Sequence, residues 1–242
     1  MIPKKIHYFW FGNNPKPELI LKCIESWKKF FPDYEIIEWN EKNYDITKNQ
    51  YLREAYEHKK WAFVSDYARL DVLYHEGGLY FDTDVEVVKE FPEELFALDG
   101  FTGVESTNLI NPGLVFACIP GLEIMRDILN DYDQASFVAE GVEGVVTINM
   151  RVTEWFEKKG FKKNGQLQHI AGFNIYPAEY FCGYDQEVDE WYRTENTLSI
   201  HYYVGSWESK SFVAFIKYKV LRKVLKKILG IEGYRKLLHG RK

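Results

Sequence analysis

The chain reads as an α/β protein, and three observations predict it. Strand, helix and strand patterns follow one another within the first 40 residues. The most apolar helix, from Trp61 to Glu76, closes on Gly77-Gly78 and runs directly into another strand. A late strand returns at residues 197–204. Such a series predicts a sheet with crossover helices. With 242 residues, 46% of them hydrophobic and 28% charged, the chain can bury one sizeable core and is not a disordered polymer.

The elements follow in order. Lys5 to Phe11 is an apolar run ended by the turn cluster Gly12-Asn-Asn-Pro-Lys-Pro17, the pattern of a buried parallel strand. Leu19, Cys23 and Trp27, with Ile20, Ile24 and Phe31 beside them, define a core-facing helix stopped by Pro32. Tyr34 to Trp39 is the second strand, and residues 42–58 read as a loop with a short helix. After the helix of residues 61–76, Leu79 to Phe81 enters a strand that Val85, Val87 and Val88 continue past an acidic interruption. Between residues 100 and 185 the alternation is looser, with breaks at Asn111-Pro112-Gly113, Pro120-Gly121 and residues 141–144. The predicted organisation is one domain, residues 1–209, followed by a basic amphipathic helical tail, residues 210–242.

Charge divides along that boundary. The tail holds eleven Lys and Arg against Glu232, a charge of +10, whereas residues 1–209 hold 20 basic and 35 acidic residues, a charge of −15. An acidic body disfavours nucleic acid, and a basic end points to an anionic surface. Within the tail, Phe215, Ile216, Val220, Leu221, Val224, Leu225, Ile228 and Leu229 form an apolar stripe, flanked by Lys217, Arg222, Lys223, Lys226 and Lys227. The stripe fits a helix packed on the domain or one lying in a membrane interface. Cys23, Cys118 and Cys182 are scattered and odd in number, which favours neither a disulfide frame nor a zinc knuckle. Met1-Ile-Pro-Lys-Lys leads into no signal-peptide core and no run of about 18 apolar residues occurs, so a cytoplasmic chain is expected. The aromatic share of 17% suits stacking on bases or sugar rings as well as a bulky core.

Phe81-Asp82-Thr83-Asp84-Val85 is the sharpest motif. On a strand, Asp82 and Asp84 point to one face, about 7 Å apart at Cα. Two adjacent carboxylates repel, and a divalent cation relieves that repulsion. Oxygen ligands suit Mn²⁺ or Mg²⁺ held against phosphate. An EF-hand is excluded because its sixth position would be Val87. Asp66 and Arg69, at i and i+3 on the apolar helix, share one face that Gly77-Gly78 joins to the acidic strand. They fit a polar ligand at a strand's carboxyl edge, or a structural ion pair. Trp10, at the end of the first strand, can stack on a base or fill the core, and His201 can join the carboxylates on a metal or serve structure.

With these residues the chain resembles the bacterial DxD-containing sugar transferases of glycosyltransferase family 32, and more distantly the catalytic domains of large clostridial glucosylating toxins. The likeness rests on Ile2 to Gly12, Trp27 with Pro32-Asp-Tyr34, Ala62 to Leu70, Leu73 to Asp84, and His201 to Trp207. It implies a GT-A fold and retaining transfer from a nucleotide sugar, UDP- or GDP-linked, to a glycan or lipid-linked glycan acceptor, with Mn²⁺ or Mg²⁺ on the diphosphate. By the same likeness Trp10 stacks on the base, Asp66 and Arg69 hold sugar hydroxyls, and Asn111 is a further sugar contact. Asp82 meets the ribose and the ion's water shell, Asp84 ligates the metal directly, and Ser206 and Trp207 close over the diphosphate, whereas the toxins carry an acidic residue near the place of His201. Surface polysaccharide (capsule) synthesis at the inner face of the plasma membrane is the implied setting, with residues 210–242 on the anionic leaflet.

Two other classes compete. A haloacid-dehalogenase-like phosphatase would use Asp82 as nucleophile and Asp84 as acid and base, but that motif normally opens its domain, whereas some 80 residues precede it here, and no later acidic doublet supplies its metal ligands. A non-catalytic carbohydrate-binding protein accounts for the aromatic residues and leaves Asp66, Arg69, Asp82 and Asp84 without a use.

Overall fold

The computed structural model describes residues 1–138, 146–186, 188–204, 225–234 and 237. The elements in chain order are β1 (Lys5–Phe9), α1 (Glu18–Phe30), β2 (Glu35–Trp39), α2 (Gln50–Glu57), α3 (Trp61–Glu76), β3 (Gly78–Tyr80) and β4 (Val85–Val87). Then come β5 (Gly100–Gly103), β6 (Phe116–Cys118), α4 (Glu123–Asp133), α5 (Ile148–Lys158), β7 (Gln168–Ile170) and β8 (Phe173–Tyr176). The short α6 (Ala178–Phe181), β9 (Tyr184–Asp185), β10 (Glu190–Trp191) and β11 (Ser199–His201) complete the domain.

Seven strands form the central sheet in the order β2-β1-β3-β6-β5-β8-β7. Pairings between β2 and β1, β1 and β3, and β5 and β8 are parallel, whereas β6 and β7 run against their neighbours. The pleat sends alternate residues to two cores. Ile6, Tyr8, Leu79, Phe81 and Phe101 meet Ile20, Cys23, Ile24 and Trp27 of α1 on one face. Phe9, Tyr80, Phe116 and Phe173 meet α2 to α5 on the other. The predicted mixed α/β architecture is present as helix, sheet and helix layers.

Local chemistry fixes the two helices that matter most. In α1 the residues read as core-facing are buried, and Trp27 also donates its indole N–H to Val85 O at 2.8 Å. In α3, ten residues from Phe63 to Leu73 are buried, as expected of a helix apolar on most sides. Its end requires glycine twice: Gly77 has φ 62° and Gly78 φ 99°. A Cβ on Gly77 would lie 2.8 Å from Pro120, and one on Gly78 would lie 2.8 Å from Lys5 O. In the stretch read as a loop with a short helix, α2 starts from an Asn49 side-chain cap on Leu52 N at 3.2 Å.

The acidic strand is shorter than its sequence pattern suggests. Instead of continuing to Val88, β3 stops at Tyr80, and residues 81–84 leave the sheet through a turn closed by Val85 N on Asp82 O at 3.1 Å. Beyond it β4 pairs with β11, antiparallel, in a separate ribbon. Two contacts draw β4 away: the Trp27 bond, and Val87 N on Ser26 Oγ at 2.9 Å, both from α1. The first strand ends at Phe9 rather than Phe11, and the late strand covers Ser199 to His201 alone. Of the tail, residues 225–234 are helical. Lys226 donates to Val188 O at 2.8 Å and pairs with Glu190, and Tyr234 is buried. Phe215, Ile216, Val220, Leu221 and Val224 of the stripe lie outside the described residues. Among the described residues no helix is long and apolar enough to cross a membrane.

Candidate functional site

From β1 the chain places β2 on one side and β3 on the other, so the carboxyl ends of β1 and β3 flank a topological switch point. Crevices at such points hold ligands in α/β proteins. Trp10 directly follows β1, and Asp82 follows β3 by two residues.

Helix α3 delivers Asp66 and Arg69 to Asp82. Arg69 Nη2 donates to Asp66 Oδ1 at 2.9 Å, and Nη1 lies 3.2 Å from Asp82 Oδ1. Nε and Nη2 also bind Ser65 O and Oγ, at 3.0 and 3.1 Å. The guanidinium lies 4.6 Å from the centre of the Tyr80 ring, and the Tyr80 hydroxyl donates to Asp82 Oδ1 at 2.7 Å. Burial pushes Asp66 up to about 7 against the pull of Arg69. Burial works to lower Arg69, but Asp82, Tyr80 and Asp66 outweigh it and hold the guanidinium above its ordinary value. Arg69 is thus a fixed cationic clamp between two carboxylates.

A second cluster meets this one at Asp82. The register of the ribbon pairs His201 with Val85, which sets the imidazole beside Asp84 despite their distance in sequence. His201 Nε2 lies 3.0 Å from Asp84 Oδ1 and 3.9 Å from Asp82 Oδ2. The other Asp84 oxygen accepts Val204 N at 2.8 Å. Burial would raise Asp84, but the charge and hydrogen bond of His201 and the Val204 amide hold it down, at about 2. Burial would lower His201, and Asp84 and Asp82 raise it nonetheless. One ligand atom each from Asp82, Asp84 and His201 lie within 4.8 Å of one another. Two carboxylates and an imidazole suit a divalent ion, and the negative field that attracts the imidazolium proton would attract such an ion. Nδ1 of His201 is buried with no partner among the described residues, and the Tyr203 ring lies 4.0 Å away centre to centre. The two Asp residues converge through a turn and through His201, and not through the strand pleat that their spacing suggests.

The remaining expectations divide. Asn111 is buried beside Asp82, and both ends of its amide are engaged: Nδ2 on Glu105 Oε2 at 3.1 Å, Oδ1 on Gly113 N at 2.8 Å. Trp10 is half-buried and donates to Asn14 O at 2.7 Å. It lines a cleft of about 450 Å³ with Gly12, Lys16, Glu38, Glu41 and Tyr56, and none of Asp66, Arg69, Asp82 or Asp84 borders that cleft. Ser206 and Trp207 lie outside the described residues. Two neighbours of Asp82 have no site role on sequence grounds. Tyr80 stands within the Leu73 to Asp84 likeness but carries no role there. Gly113 sits in a recognised turn cluster, yet a Cβ there would meet Asp82 Oδ2 at 2.1 Å.

A family model described as a glycosyltransferase sugar-binding region containing a DXD motif matches residues 17–101, which include Asp66, Arg69, Asp82 and Asp84. The "Subversion of eukaryotic traffic protein A" of Legionella pneumophila is 26% identical, over 59% of this chain and 27% of that protein. An "Alpha-1,4-N-acetylglucosaminyltransferase" of Homo sapiens is 24% identical, over 62% of this chain and 44% of that protein. The chain therefore spans less than half the length of either relative. Among solved structures, a "PaToxG Glycosyltransferase" aligns with a TM-score of 0.48 and 18% identity, over 66% of this chain and 69% of that one.

Proposed function

We propose that this chain is a metal-dependent glycosyltransferase of the GT-A type, moving a sugar with retention from a UDP- or GDP-linked donor to a glycan or lipid-linked glycan acceptor. The family match over residues 17–101 supports a glycosyltransferase. One observation carries the reading: Asp82 joins a carboxylate and imidazole cluster, within 4.8 Å, to the Arg69 and Asp66 clamp at the switch point. Surface polysaccharide synthesis on the inner face of the plasma membrane, with residues 210–242 against the leaflet, is the setting we propose.

Mn²⁺ or Mg²⁺ held by Asp82, Asp84 and His201 would supply positive charge where the departing diphosphate gathers negative charge. The donor set fits such an ion. Arg69 holds Asp66 and Asp82 in fixed orientations, and the Tyr80 hydroxyl keeps Asp82 from turning away. Asp66 accepts a sugar hydroxyl in this reading, and the Trp10 face takes the base. Ser206 and Trp207 would cover the diphosphate. No protein base is required for retention by a front-face route, because the departing phosphate can take the acceptor's proton.

A melting panel with UDP-glucose, UDP-galactose, UDP-N-acetylglucosamine and GDP-mannose, each with Mn²⁺, tests the reading. A binder at a hundredfold excess over Kd adds about 2.7 kcal/mol. A donor-hydrolysis assay completes the test. Release of nucleoside diphosphate that stops with chelator supports the transferase. Phosphate release from a monoester would mean a phosphatase, and neither activity would mean a binding protein.

A further inference from the structure

Glu105 lies two residues beyond β5 and is buried. A buried carboxylate is costly unless its lone pairs are filled, and here four side chains fill them. Oε1 accepts from Thr107 Oγ1 at 2.7 Å. Oε2 accepts from three carboxamides: Asn111 Nδ2 at 3.1 Å, Asn149 Nδ2 at 3.3 Å and Gln186 Nε2 at 3.2 Å. They come from the loop after β5, the first turn of α5 and the residue after β9.

An ionised carboxylate accepts and cannot donate, so it dictates which way each amide faces. All three must turn the NH₂ group toward Glu105 and the carbonyl oxygen elsewhere. For Asn111 that oxygen meets Gly113 N at 2.8 Å, and Gly113 O accepts Asp82 N at 2.9 Å. On the opposite side, Asn149 follows Ile148, whose backbone amide hydrogen-bonds Asp66. Polar contacts, with the one peptide step from Asn149 to Ile148, form a circuit: Asp82, Gly113, Asn111, Glu105, Asn149, Ile148, then Asp66 and Arg69, which returns to Asp82 at 3.2 Å. Asn149 lies on this circuit and Gln186 beside it, where it also hydrogen-bonds Tyr203; both are half-buried, so they can reach a ligand, whereas Glu105 is buried.

We propose that Glu105 is a positioning residue of the donor-sugar pocket. It holds the Asn149 and Gln186 carboxamides with their oxygens directed as acceptors for sugar hydroxyls, and it sets Asp82 through Asn111 and Gly113. The inference rests on the glycosyltransferase reading above. It makes Asn149 and Gln186 specificity residues for the hexose, and leaves nucleotide affinity to other parts of the site.

Glu105→Gln tests this with little change of shape, because its own NH₂ group opposes the amides and the polarity of the rim is lost. The assay is hydrolysis of the four-donor panel with Mn²⁺, alongside binding of UDP and GDP with Mn²⁺ and a melting curve. The expected result is a fall in kcat of about a hundredfold, the order of loss from misplacing a reacting group by about 1 Å. Preference among the donors should narrow, and nucleoside diphosphate affinity should stay near wild type. Should Glu105→Gln not fold, Asn149→Ala, which keeps the carboxylate, must raise KM for the preferred donor without weakening the diphosphate. Unchanged kcat and donor preference would overturn the inference. So would diphosphate affinity falling in step with kcat, which marks a mere staple of loops. If the wild type hydrolyses no donor in the panel, the glycosyltransferase reading fails and takes this inference with it.

Discussion

Asp84 has the most demanding position of any single side chain in the site, since its two oxygens bind His201 and the Val204 amide while it stays ionised. Asp84→Ala should abolish Mn²⁺-dependent donor binding measured by calorimetry, while Asp82→Asn keeps part of it. Loss of one ligand removes several kcal/mol of charge stabilisation, so wild-type turnover by the Asp84 variant would end the metal assignment. Gly113→Ala tests the other side of the same site. The added methyl would meet Asp82 Oδ2 at 2.1 Å and must displace the carboxylate. Its expected cost is about 1–3 kcal/mol of stability, seen in a melting curve, with turnover reduced more than folding. For the clamp, Arg69→Ala orphans two carboxylates and should cost about 3–5 kcal/mol. Asp66→Asn keeps the shape of the side chain and should impair sugar use while UDP and GDP still bind. If Asp66→Asn is instead unfolded by circular dichroism, the pair is architectural.

At the scale of elements, His7 of β1 ties three of them together. Trp39 Nε1 of β2 can only donate, and it reaches His7 Nδ1 at 3.1 Å. Nε2 therefore carries the proton and donates to Gly77 O, beyond α3, at 2.9 Å. Burial pushes this imidazole down to about 4, with Lys5 adding to the effect and the Gly77 carbonyl opposing it. The unfolded chain takes up the proton near its ordinary value, 6.5, and the folded chain near 4. Stability is thus fully present above pH 6.5, declines as pH falls, and levels off below about 4, a total loss of about 3 kcal/mol. Denaturant titrations between pH 7 and 4.5 should show that decline, and His7→Gln should remove this part of it. The helices and parallel strands around His7 were legible because period and glycine punctuation are local signals: α1, α3 and Gly77-Gly78 stand where the pattern puts them. The β4 and β11 ribbon was not. Three-residue strands have too little period to read, and the turn at residues 81–84 is imposed by α1 through Trp27 and Ser26. Of the site, Asp66, Arg69, Asp82, Asp84 and His201 stood out as charges or imidazole against apolar surroundings. Glu105 did not, because the amides Asn149 and Gln186 that give it meaning lie 44 and 81 residues away.

For the whole molecule the decisive quantity is the separation of charge, −15 on residues 1–209 against +10 on residues 210–242. An acidic body is repelled by an anionic leaflet and the tail is drawn to it, so approach to such a surface would be oriented tail first. Within residues 225–234, Lys226 and Tyr234 face the body, whereas Lys227, Ile228, Leu229 and Ile231 are exposed. One helical stretch thus contacts the domain and leaves both basic and apolar side chains on its outside, the pairing an interfacial helix uses. Each basic residue near an anionic surface contributes about 1 kcal/mol, and reversing its sign removes at least that much. Arg222→Glu, Lys223→Glu and Lys227→Glu together should therefore weaken sedimentation with phosphatidylserine vesicles by about a hundredfold or more. The interaction of wild type should fade as salt rises toward about 1 M, where the screening length is about 3 Å. Lys226 is left in place, so the contact with Glu190 persists and donor hydrolysis in solution should match wild type. Equal sedimentation of the triple variant and wild type, or a wild type indifferent to vesicles at low salt, would leave the basic face as solvated surface alone. In that case the membrane setting proposed above falls.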